Sequence, residues 1–460
     1  MLILGAILSL QFIVLTAWWL YKKYNPQAVL LVTGLMMLTL ASVIGISPAP
    51  VSEPTGTLTF DLFRIVKETF STNILRVGLM IMTIGGYVAY MKHIKASDAL
   101  VYVSMQPLSL LRKYPYAASI AIIPIGQILF ICTPSAAGLG LLLVVSILPV
   151  LVSLGVSRLT AVSVISACTV FDMGPSSANT AKAAELVGIN NVSYFIEHQL
   201  PLAIPMTILL MILYYFSNRY CDRRDVARGK STFVATTTRE ELKVDVPLIY
   251  AILPVLPLAL LIIFSKYLQL FNPAIELDTT TAMLLSLMVA MIFELVRKRS
   301  LSHFFNGLKT FWGGMGKVFA DVVTLIVCAE VFACGLISLG FINALVEGSM
   351  HLGLSGMVVG VIITVLIFLA AMLMGSGNAS FFSFGPLVPD IAGRFGLQPA
   401  DIIVPMQLSS SMGRATSPIA GVIIAIAEIA GVPPMELARR NLVPLGVTLI
   451  FMLTYNYLII

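Results

Sequence analysis

Long apolar stretches dominate this chain, and polar residues gather in the short segments between them. The runs at 2–21, 28–46, 200–217 and 441–459 are each long enough for a helix to cross the hydrocarbon core of a bilayer. Apolar residues follow one another in these runs instead of alternating with polar ones, which predicts helices rather than the strands of a membrane barrel. The pattern therefore predicts an all-α integral membrane protein.

Two clusters of small polar residues interrupt the apolar sequence of the second half. One reads Gly-Ser-Gly-Asn-Ala-Ser from Gly375, and the other reads Gly-Arg-Ala-Thr-Ser-Pro-Ile-Ala-Gly from Gly413. Glycine and proline break helices, and a broken backbone at membrane depth is tolerated only where protein or a water-filled cavity surrounds it. We therefore expect a re-entrant hairpin tip at about 375–380 and a broken helix at about 413–421.

The first half has the same design. Thr-Pro-Ser-Ala-Ala-Gly predicts a hairpin tip at about 133–138, and Asp-Met-Gly-Pro-Ser-Ser-Ala-Asn-Thr predicts a broken helix at about 172–180. The two first-half clusters are separated by nearly the same number of residues as the two second-half clusters. Corresponding interruptions in two halves of a chain are typical of secondary transporters that are built from internal repeats.

A basic segment separates the halves. We expect a first repeat at 1–217, a cytoplasmic linker at 218–245 that is rich in arginine, and a second repeat at 246–460. Each repeat has about five transmembrane helices, one re-entrant hairpin and a broken helix. Because five crossings is an odd number, the second repeat should be inverted relative to the first, as in carriers that work by alternating access.

Two amphipathic segments are expected beside the membrane. Residues 60–72 predict an interfacial amphipathic helix before a span at about 75–91, and residues 301–314 form an amphipathic stretch before a span at 317–340.

Composition narrows the class of protein further. The chain has 460 residues, of which 58% are hydrophobic and 11% charged, and its net charge is +6. The basic residues lie between apolar runs, so the positive-inside rule explains this charge and nucleic-acid binding is not expected. Five cysteines and four histidines form neither a disulfide framework nor a metal motif, so no cofactor is expected. The first apolar run lacks the features of a cleaved signal and is read as a retained helix.

The helix ends at the four interruptions suit a small anion. Broken helices expose N-termini whose free N–H groups and partial positive charge favour carboxylates. Neutral groups around them add hydrogen bonds, and released carbonyls and hydroxyls are candidate Na⁺ ligands, especially near Ser135 and Asn378. The candidate substrate-binding residues of this kind are Ser135, Ser176, Ser177, Asn179, Thr180, Ser376, Gly377, Asn378, Ser380, Thr416 and Ser417.

Arg414 completes this set of candidate substrate-binding residues. A charge at bilayer depth costs at least about 2.5 kcal/mol on insertion scales, so it needs a partner. The planar guanidinium suits bidentate carboxylate binding. Three interpretations stay open: Arg414 binds the substrate anion, it forms an internal salt bridge with Asp172, or it lies outside the bilayer core.

Asp172 is the candidate for ion coupling. Its carboxyl precedes the first broken loop and would either titrate or bind a cation, which suits coupling to H⁺ or Na⁺. An ion pair with Arg414 or with Lys182 is the alternative. Asp321, Glu330 and Glu428 also lie in apolar runs and are either transport residues or polar groups satisfied inside the helix bundle.

Several motifs resemble those of one carrier family. Met-Gly-Ser-Gly-Asn-Ala-Ser from Met374, Gly-Arg-Ala-Thr-Ser-Pro from Gly413, Asn-Ala-Leu-Val from Asn343 and Ser-Ala-Ala-Gly-Leu-Gly from Ser135 are similar to the anaerobic C4-dicarboxylate carriers of the DcuC type. The resemblance extends over essentially the whole chain. The first broken loop departs from the family pattern, in which an acid lies inside the loop, so the coupling ion stays open.

The resemblance implies a fold, a substrate and a location. It implies a homodimeric elevator-type transporter with opposed hairpins, which carries succinate, fumarate or malate by efflux or exchange in a bacterial inner membrane. The alternatives are a carrier of the same fold for another small anion or an amino acid, or an anion channel. An enzyme is not expected, because no cluster of His, Asp and Glu and no nucleophile constellation is visible in the sequence.

Overall fold

A computed structural model describes residues 2–47, 50–106, 114–227, 246–268 and 275–459. Within these residues the regular structure is helical, with no strand. This confirms the predicted all-α membrane protein. Ten helices of the described ranges are long and apolar enough to cross a membrane: Leu4–Tyr21, Pro26–Ile44, Leu58–His93, Pro115–Cys132, Ala136–Ser153, Asn191–Ala227, Thr279–Lys298, Phe304–Ser338, Gly356–Met374 and Pro434–Leu458.

The helices of the first half end with a long helix that runs toward the basic segment. They are α1 (Leu2–Tyr21), α2 (Pro26–Ile44), α3 (Leu58–His93), α4 (Ala96–Met105), α5 (Pro115–Cys132), α6 (Ala136–Ser153), α7 (Arg158–Ala167), α8 (Ala178–Val187) and α9 (Asn191–Ala227). Helix α9 continues to Ala227, past the expected end of its span at 217, and residues 228–245 of the expected linker lie outside the described residues.

The helices of the second half follow in the same order. They are α10 (Leu248–Ile263), α11 (Thr279–Lys298), α12 (301–338), α13 (Phe341–His351), α14 (Gly356–Met374), α15 (Gly377–Phe384), α16 (Val388–Phe395), α17 (Pro399–Ala415), α18 (Gly421–Ala430) and α19 (Pro434–Leu458). Each half thus contains a hairpin, then a helix broken into two pieces, then a long helix. The membrane sidedness of the two halves stays a prediction.

The separation of the amphipathic segments at 60–72 and 301–314 from the spans that follow them is wrong. Each is the first part of a continuous helix, α3 or α12, which passes through one π-helical turn at Ile74–Gly78 or Phe319–Val323. No proline stands at either junction, so the helix continues. The wider turn accommodates the local change in hydrogen bonding without a break.

Close helix contacts set the position of the interrupted segments. Helix α17 packs against α14, and a Cβ atom on Gly413 would come within 2.2 Å of the Phe368 carbonyl oxygen. Helix α6 packs against α18, and α15 packs against α12. Since only glycine allows the backbones of α14 and α17 to approach this closely, Gly413 determines how deep the next residue, Arg414, lies in the protein.

Candidate functional site

The two hairpin tips are short, and each is closed by a serine. Ser135 Oγ accepts a hydrogen bond from the Gly138 N–H at 3.2 Å, and Ser376 Oγ accepts one from the Ala379 N–H at 3.2 Å. Each serine is the N-cap of the returning helix and satisfies one of its free N–H groups. Both hydroxyls therefore have a structural role in addition to any contact with a ligand.

The second tip lies directly against the second broken helix. Gly375 has a φ of +70°, and a Cβ atom on it would come within 3.0 Å of the Ala420 backbone nitrogen. A Cβ atom on Gly377 would come within 2.9 Å of the Ser410 carbonyl oxygen. The second tip therefore packs closely on helix α17 and on the residues that follow it, and the two glycines allow this approach.

The break in the first half spans the residues between α7 and α8. Ser177 is the N-cap of α8, and its Oγ accepts hydrogen bonds from the N–H groups of Asn179 and Thr180. The same hydroxyl donates to Asp172 Oδ1, and Asn179 Nδ2 donates to Asp172 Oδ2 at 2.8 Å. Neutral donors thus hold both carboxyl oxygens of Asp172. Ser176, in the same loop, is buried.

Three hydroxyls that were predicted to bind substrate form hydrogen bonds within their own segments. Ser380 Oγ donates to the Gly377 carbonyl at 2.9 Å, and Thr416 Oγ1 donates to the Gly413 carbonyl at 2.8 Å. Ser417 Oγ accepts from the Ile419 N–H at 3.4 Å. These residues are buried and shape the helix ends, because their hydrogen bonds go to nearby backbone groups.

Arg414 reaches from the second broken helix to the first. Its Nη2 donates to the Thr169 carbonyl oxygen at 2.6 Å, while its Nε is buried and has no hydrogen-bond partner in the described part of the chain. Arg414 and Asp172 interact electrostatically, but they do not form an ion pair. Both side chains are half-buried. Of the three interpretations of Arg414, the direct salt bridge with Asp172 is therefore wrong.

Lys182 has other partners than Asp172. Its Nζ donates to Glu330 Oε2 at 3.0 Å and to Glu185 Oε2 at 2.8 Å, and its side chain is 2% exposed. Glu330 is therefore a polar group satisfied inside the protein, one of the two roles considered for it. Asp321 and Glu428 are exposed on the protein surface.

Sequence reasoning did not single out two buried glutamines, Gln199 and Gln407, at the first break. Gln407 Nε2 donates to the Asp172 carbonyl oxygen at 2.9 Å, and Gln199 Nε2 donates to Thr180 Oγ1 at 3.0 Å. A side-chain amide in an otherwise apolar run was the available signal, since a buried amide needs polar partners.

The described residues contain no group of three or more His, Cys, Asp or Glu that could hold a metal ion. At the expected Na⁺ position, Asn378 Oδ1 accepts from Asn179 Nδ2 at 3.2 Å, and the same nitrogen donates to Asp172 Oδ2 at 2.8 Å. Asn179 Oδ1 is buried and has no hydrogen-bond partner among the described residues.

Comparison with known proteins places these features in a family. Residues 4–460 match the family model described as DcuC, C4-dicarboxylate anaerobic carrier. The chain is 31% identical to the anaerobic C4-dicarboxylate transporter DcuC of Escherichia coli (strain K12), over 97% of this chain and 95% of that protein. The chain belongs to the C4-dicarboxylate anaerobic carrier family. This family member is also 33% identical to the probable anaerobic C4-dicarboxylate transporter DcuC of Vibrio cholerae, over 93% and 92% of the two chains.

Solved structures share the carrier's fold. The YdaH transporter of Alcanivorax borkumensis has a TM-score of 0.65 and 16% identity, with 94% of this chain and 98% of that chain covered. MtrF of Neisseria gonorrhoeae, described with a class of antimetabolite efflux pumps, has a TM-score of 0.65 and 13% identity, with 94% of each chain covered. Its family membership and its apolar helices make the carrier an all-α membrane transporter rather than an enzyme, and a multi-pass protein of a bacterial inner membrane.

Proposed function

We propose that this carrier is a secondary active transporter of C4-dicarboxylates of the succinate, fumarate and malate type, which works by efflux or exchange with alternating access. Membership of the C4-dicarboxylate anaerobic carrier family supports the substrate class. The interrupted helices support a carrier, because they put free helix ends and polar side chains inside a membrane protein.

The observation that carries the proposal is a difference among three internal cations: within the described residues, two of them form ion pairs with carboxylates, and the third does not. Lys182 contacts Glu185 and Glu330, and Arg440 contacts Asp222 at 2.6 Å and Asp225 at 2.8 Å. Among the residues that the structure describes, Arg414 has only the Thr169 carbonyl oxygen as a hydrogen-bond partner. A guanidinium without a paired carboxylate, at the meeting point of the two broken helices, has the charge and the donor geometry to bind a substrate carboxylate.

The second carboxylate of the substrate needs further donors. Asn378 and Ser376 at the second tip, with Ser135 at the first tip, are half-buried and belong to segments that pack on the broken helices. Neutral donors and helix N-termini offer partial positive charge, which suits a second carboxylate beside one full cation. The proposed site also includes residues that either contact the substrate or shape the site: Ser176, Ser177, Asn179, Thr180, Gly377, Ser380, Thr416 and Ser417.

Charge balance supports coupling of transport to a cation. Arg414 and Asp172 together carry no net charge, so a dicarboxylate would bring the site to about −2. A proton on Asp172, or Na⁺ on its oxygen atoms and those of Asn179 and Asn378, would reduce this charge. Because uncompensated charge inside a membrane is costly, substrate and cation should bind together.

We further propose two inverted repeats, at 1–217 and 246–460, joined by a cytoplasmic segment at 218–245, in a homodimer with an elevator mechanism. The same order of hairpin, broken helix and long helix in both halves supports the repeats. An odd number of crossings in each half would bring the two hairpins in from opposite faces.

Uptake and counterflow in proteoliposomes test the function. Vesicles loaded with unlabelled succinate should take up labelled succinate, fumarate or malate faster than empty vesicles. The reason is that internal succinate binds the inward-facing carrier and speeds the return of its binding site to the outside. Equal uptake by loaded and empty vesicles would instead indicate an anion channel. Transport of amino acids or monocarboxylates without any C4-dicarboxylate would overturn the proposed substrate class. Imposed H⁺ and Na⁺ gradients, applied separately, identify the coupling ion.

A further inference from the structure

Two buried side-chain amides hold the backbone around Asp172. Gln407 Nε2 donates to the Asp172 carbonyl oxygen at 2.9 Å, and Gln199 Oε1 accepts from the Gly174 N–H at 3.0 Å. Both glutamine side chains are completely buried. The three-residue segment that carries the Asp172 carboxyl is therefore anchored at its first and its third residue.

The two amides are also joined to each other. Gln199 Nε2 donates to Gln407 Oε1 at 3.1 Å, and the same oxygen accepts from the Tyr194 hydroxyl at 2.9 Å. Thr180, in the first turn of α8, hydrogen-bonds to both glutamines. An amide supplies donors and acceptors without a formal charge. The network thus fixes the loop without changing the charge of the neighbouring site.

Gln407 and Arg414 lie on the same face of helix α17. They are seven positions apart, which corresponds to about two helical turns. Arg414 contacts the Thr169 carbonyl, and Gln407 contacts the Asp172 carbonyl. One helix of the second half therefore holds the first broken segment at two points, and these points determine where Asp172 lies relative to Arg414.

We propose that Gln199 and Gln407 are positioning residues for transport, which place the Asp172 carboxyl opposite Arg414 so that substrate and coupling cation bind together. The proposal rests on the proposed function. The glutamines act through the backbone of the Asp172 loop and do not touch the substrate. A displacement of about 1 Å in a site of this kind can cost on the order of 100-fold in activity.

The first test replaces Gln407 by an apolar residue of similar shape. Gln407→Met should raise the KM for succinate about tenfold or more and alter the dependence of transport on the coupling ion, while Vmax changes by less than about threefold. Gln127→Met is the matched control, because Gln127 is also buried and its side-chain oxygen accepts from the Thr207 hydroxyl, not from a residue of the Asp172 loop. Wild-type KM and ion dependence in folded Gln407→Met protein would overturn the proposal.

Gln407→Glu separates positioning from folding if Gln407→Met does not fold. The introduced carboxyl can donate to the Asp172 carbonyl only while it is protonated. Relative to the wild type at each pH, transport should therefore be retained at acidic pH and fall as pH rises. A constant ratio of variant to wild-type transport across this range would overturn the proposal.

A labelling experiment tests positioning without any substrate. Met173 lies between the two anchored residues and is 5% exposed. In a background without the five native cysteines, Met173→Cys should react faster with a membrane-permeant thiol reagent when Gln407→Met is also present. Equal rates would overturn the positioning role. Absence of dicarboxylate transport in the wild type would overturn the proposed function alone, since the labelling rates would still be informative.

Discussion

Asn179 and Asn378 are 199 positions apart in the chain, and Asn179 Nδ2 donates to Asn378 Oδ1 at 3.2 Å. The same nitrogen donates to Asp172. The second hairpin tip is thus connected to the candidate coupling carboxyl by one side chain. Movement of this tip would change the hydrogen bonding of Asp172, because Asn179 Nδ2 donates to both Asn378 and Asp172.

This connection predicts a binding defect in Asn378→Ala. The variant loses the acceptor for Asn179 and a candidate donor to the substrate. A hydrogen bond to a charged ligand contributes about 1.5–3 kcal/mol, so succinate affinity should fall roughly ten- to hundredfold. Ser383→Ala is the control, because Ser383 is buried in the same helix and its hydroxyl donates to the Ala379 carbonyl. Unchanged affinity in Asn378→Ala, measured by substrate binding in detergent, would remove this tip from the site.

Ser376→Ala should show two effects together. Its hydroxyl caps helix α15, so the free energy of unfolding should fall by about 1 kcal/mol. If the hydroxyl also donates to substrate, succinate affinity should fall as well. Thermal unfolding and binding, measured on the same preparation, distinguish the two. A loss of stability with normal affinity would limit Ser376 to capping.

Substitutions of Arg414 test the proposed carboxylate contact. Arg414→Ala should abolish dicarboxylate counterflow, and Arg414→Lys should transport poorly because lysine keeps the charge and loses the bidentate geometry. Because Arg414 forms no direct ion pair with Asp172, the double variant Arg414→Ala with Asp172→Ala should not recover transport. Recovery of both melting temperature and counterflow in the double variant would contradict the substrate role and support an internal pair.

Lys182 should matter for stability more than Arg76, although both bind Glu185. The Lys182 side chain is 2% exposed and also binds Glu330, whereas the Arg76 side chain is 62% exposed. Lys182→Met leaves carboxylates without their buried cation and should reduce the free energy of unfolding by about 3–5 kcal/mol. Arg76→Met should cost less than about 1 kcal/mol. Similar thermal unfolding of the two variants would show that burial does not govern this cluster.

Gly413 and Gly446 form a matched pair for testing helix contact. A Cβ atom on Gly413 would lie 2.2 Å from the Phe368 carbonyl oxygen, whereas a Cβ atom on Gly446 would have no atom of the described residues within 4 Å. Gly413→Ala should therefore push α17 away from α14, lower the melting temperature and displace Arg414. Gly446→Ala should be neutral or stabilising by up to about 1 kcal/mol, since alanine is the better helix former. Wild-type stability and transport in Gly413→Ala would contradict the close approach.

The sequence by itself determined the plan of this carrier. The apolar runs, the four polar interruptions and the basic segment led to an all-α membrane protein with two hairpins and two broken helices, and the motifs from Met374 and Gly413 pointed to the family. These features are local, because a span needs only a continuous apolar run and a break needs only glycine, proline and capping residues within a few positions. Even so, the continuous helices α3 and α12 were divided wrongly, since a π-helical turn leaves no composition signal.

Only the tertiary structure decided which polar groups meet. Lys182 pairs with Glu330, which is 148 positions away, and Gln407 binds the Asp172 carbonyl from 235 positions away. Arg414 binds the Thr169 carbonyl instead of the Asp172 carboxyl. Each internal cation in such a sequence has several acidic residues that are possible partners. The cost of burying its charge is offset by the groups that helix packing brings within hydrogen-bond distance, and the sequence does not show which groups these are. The packing depends on contacts between helices, such as that of Gly413 with Phe368. Such contacts cannot be predicted from the sequence of either helix alone.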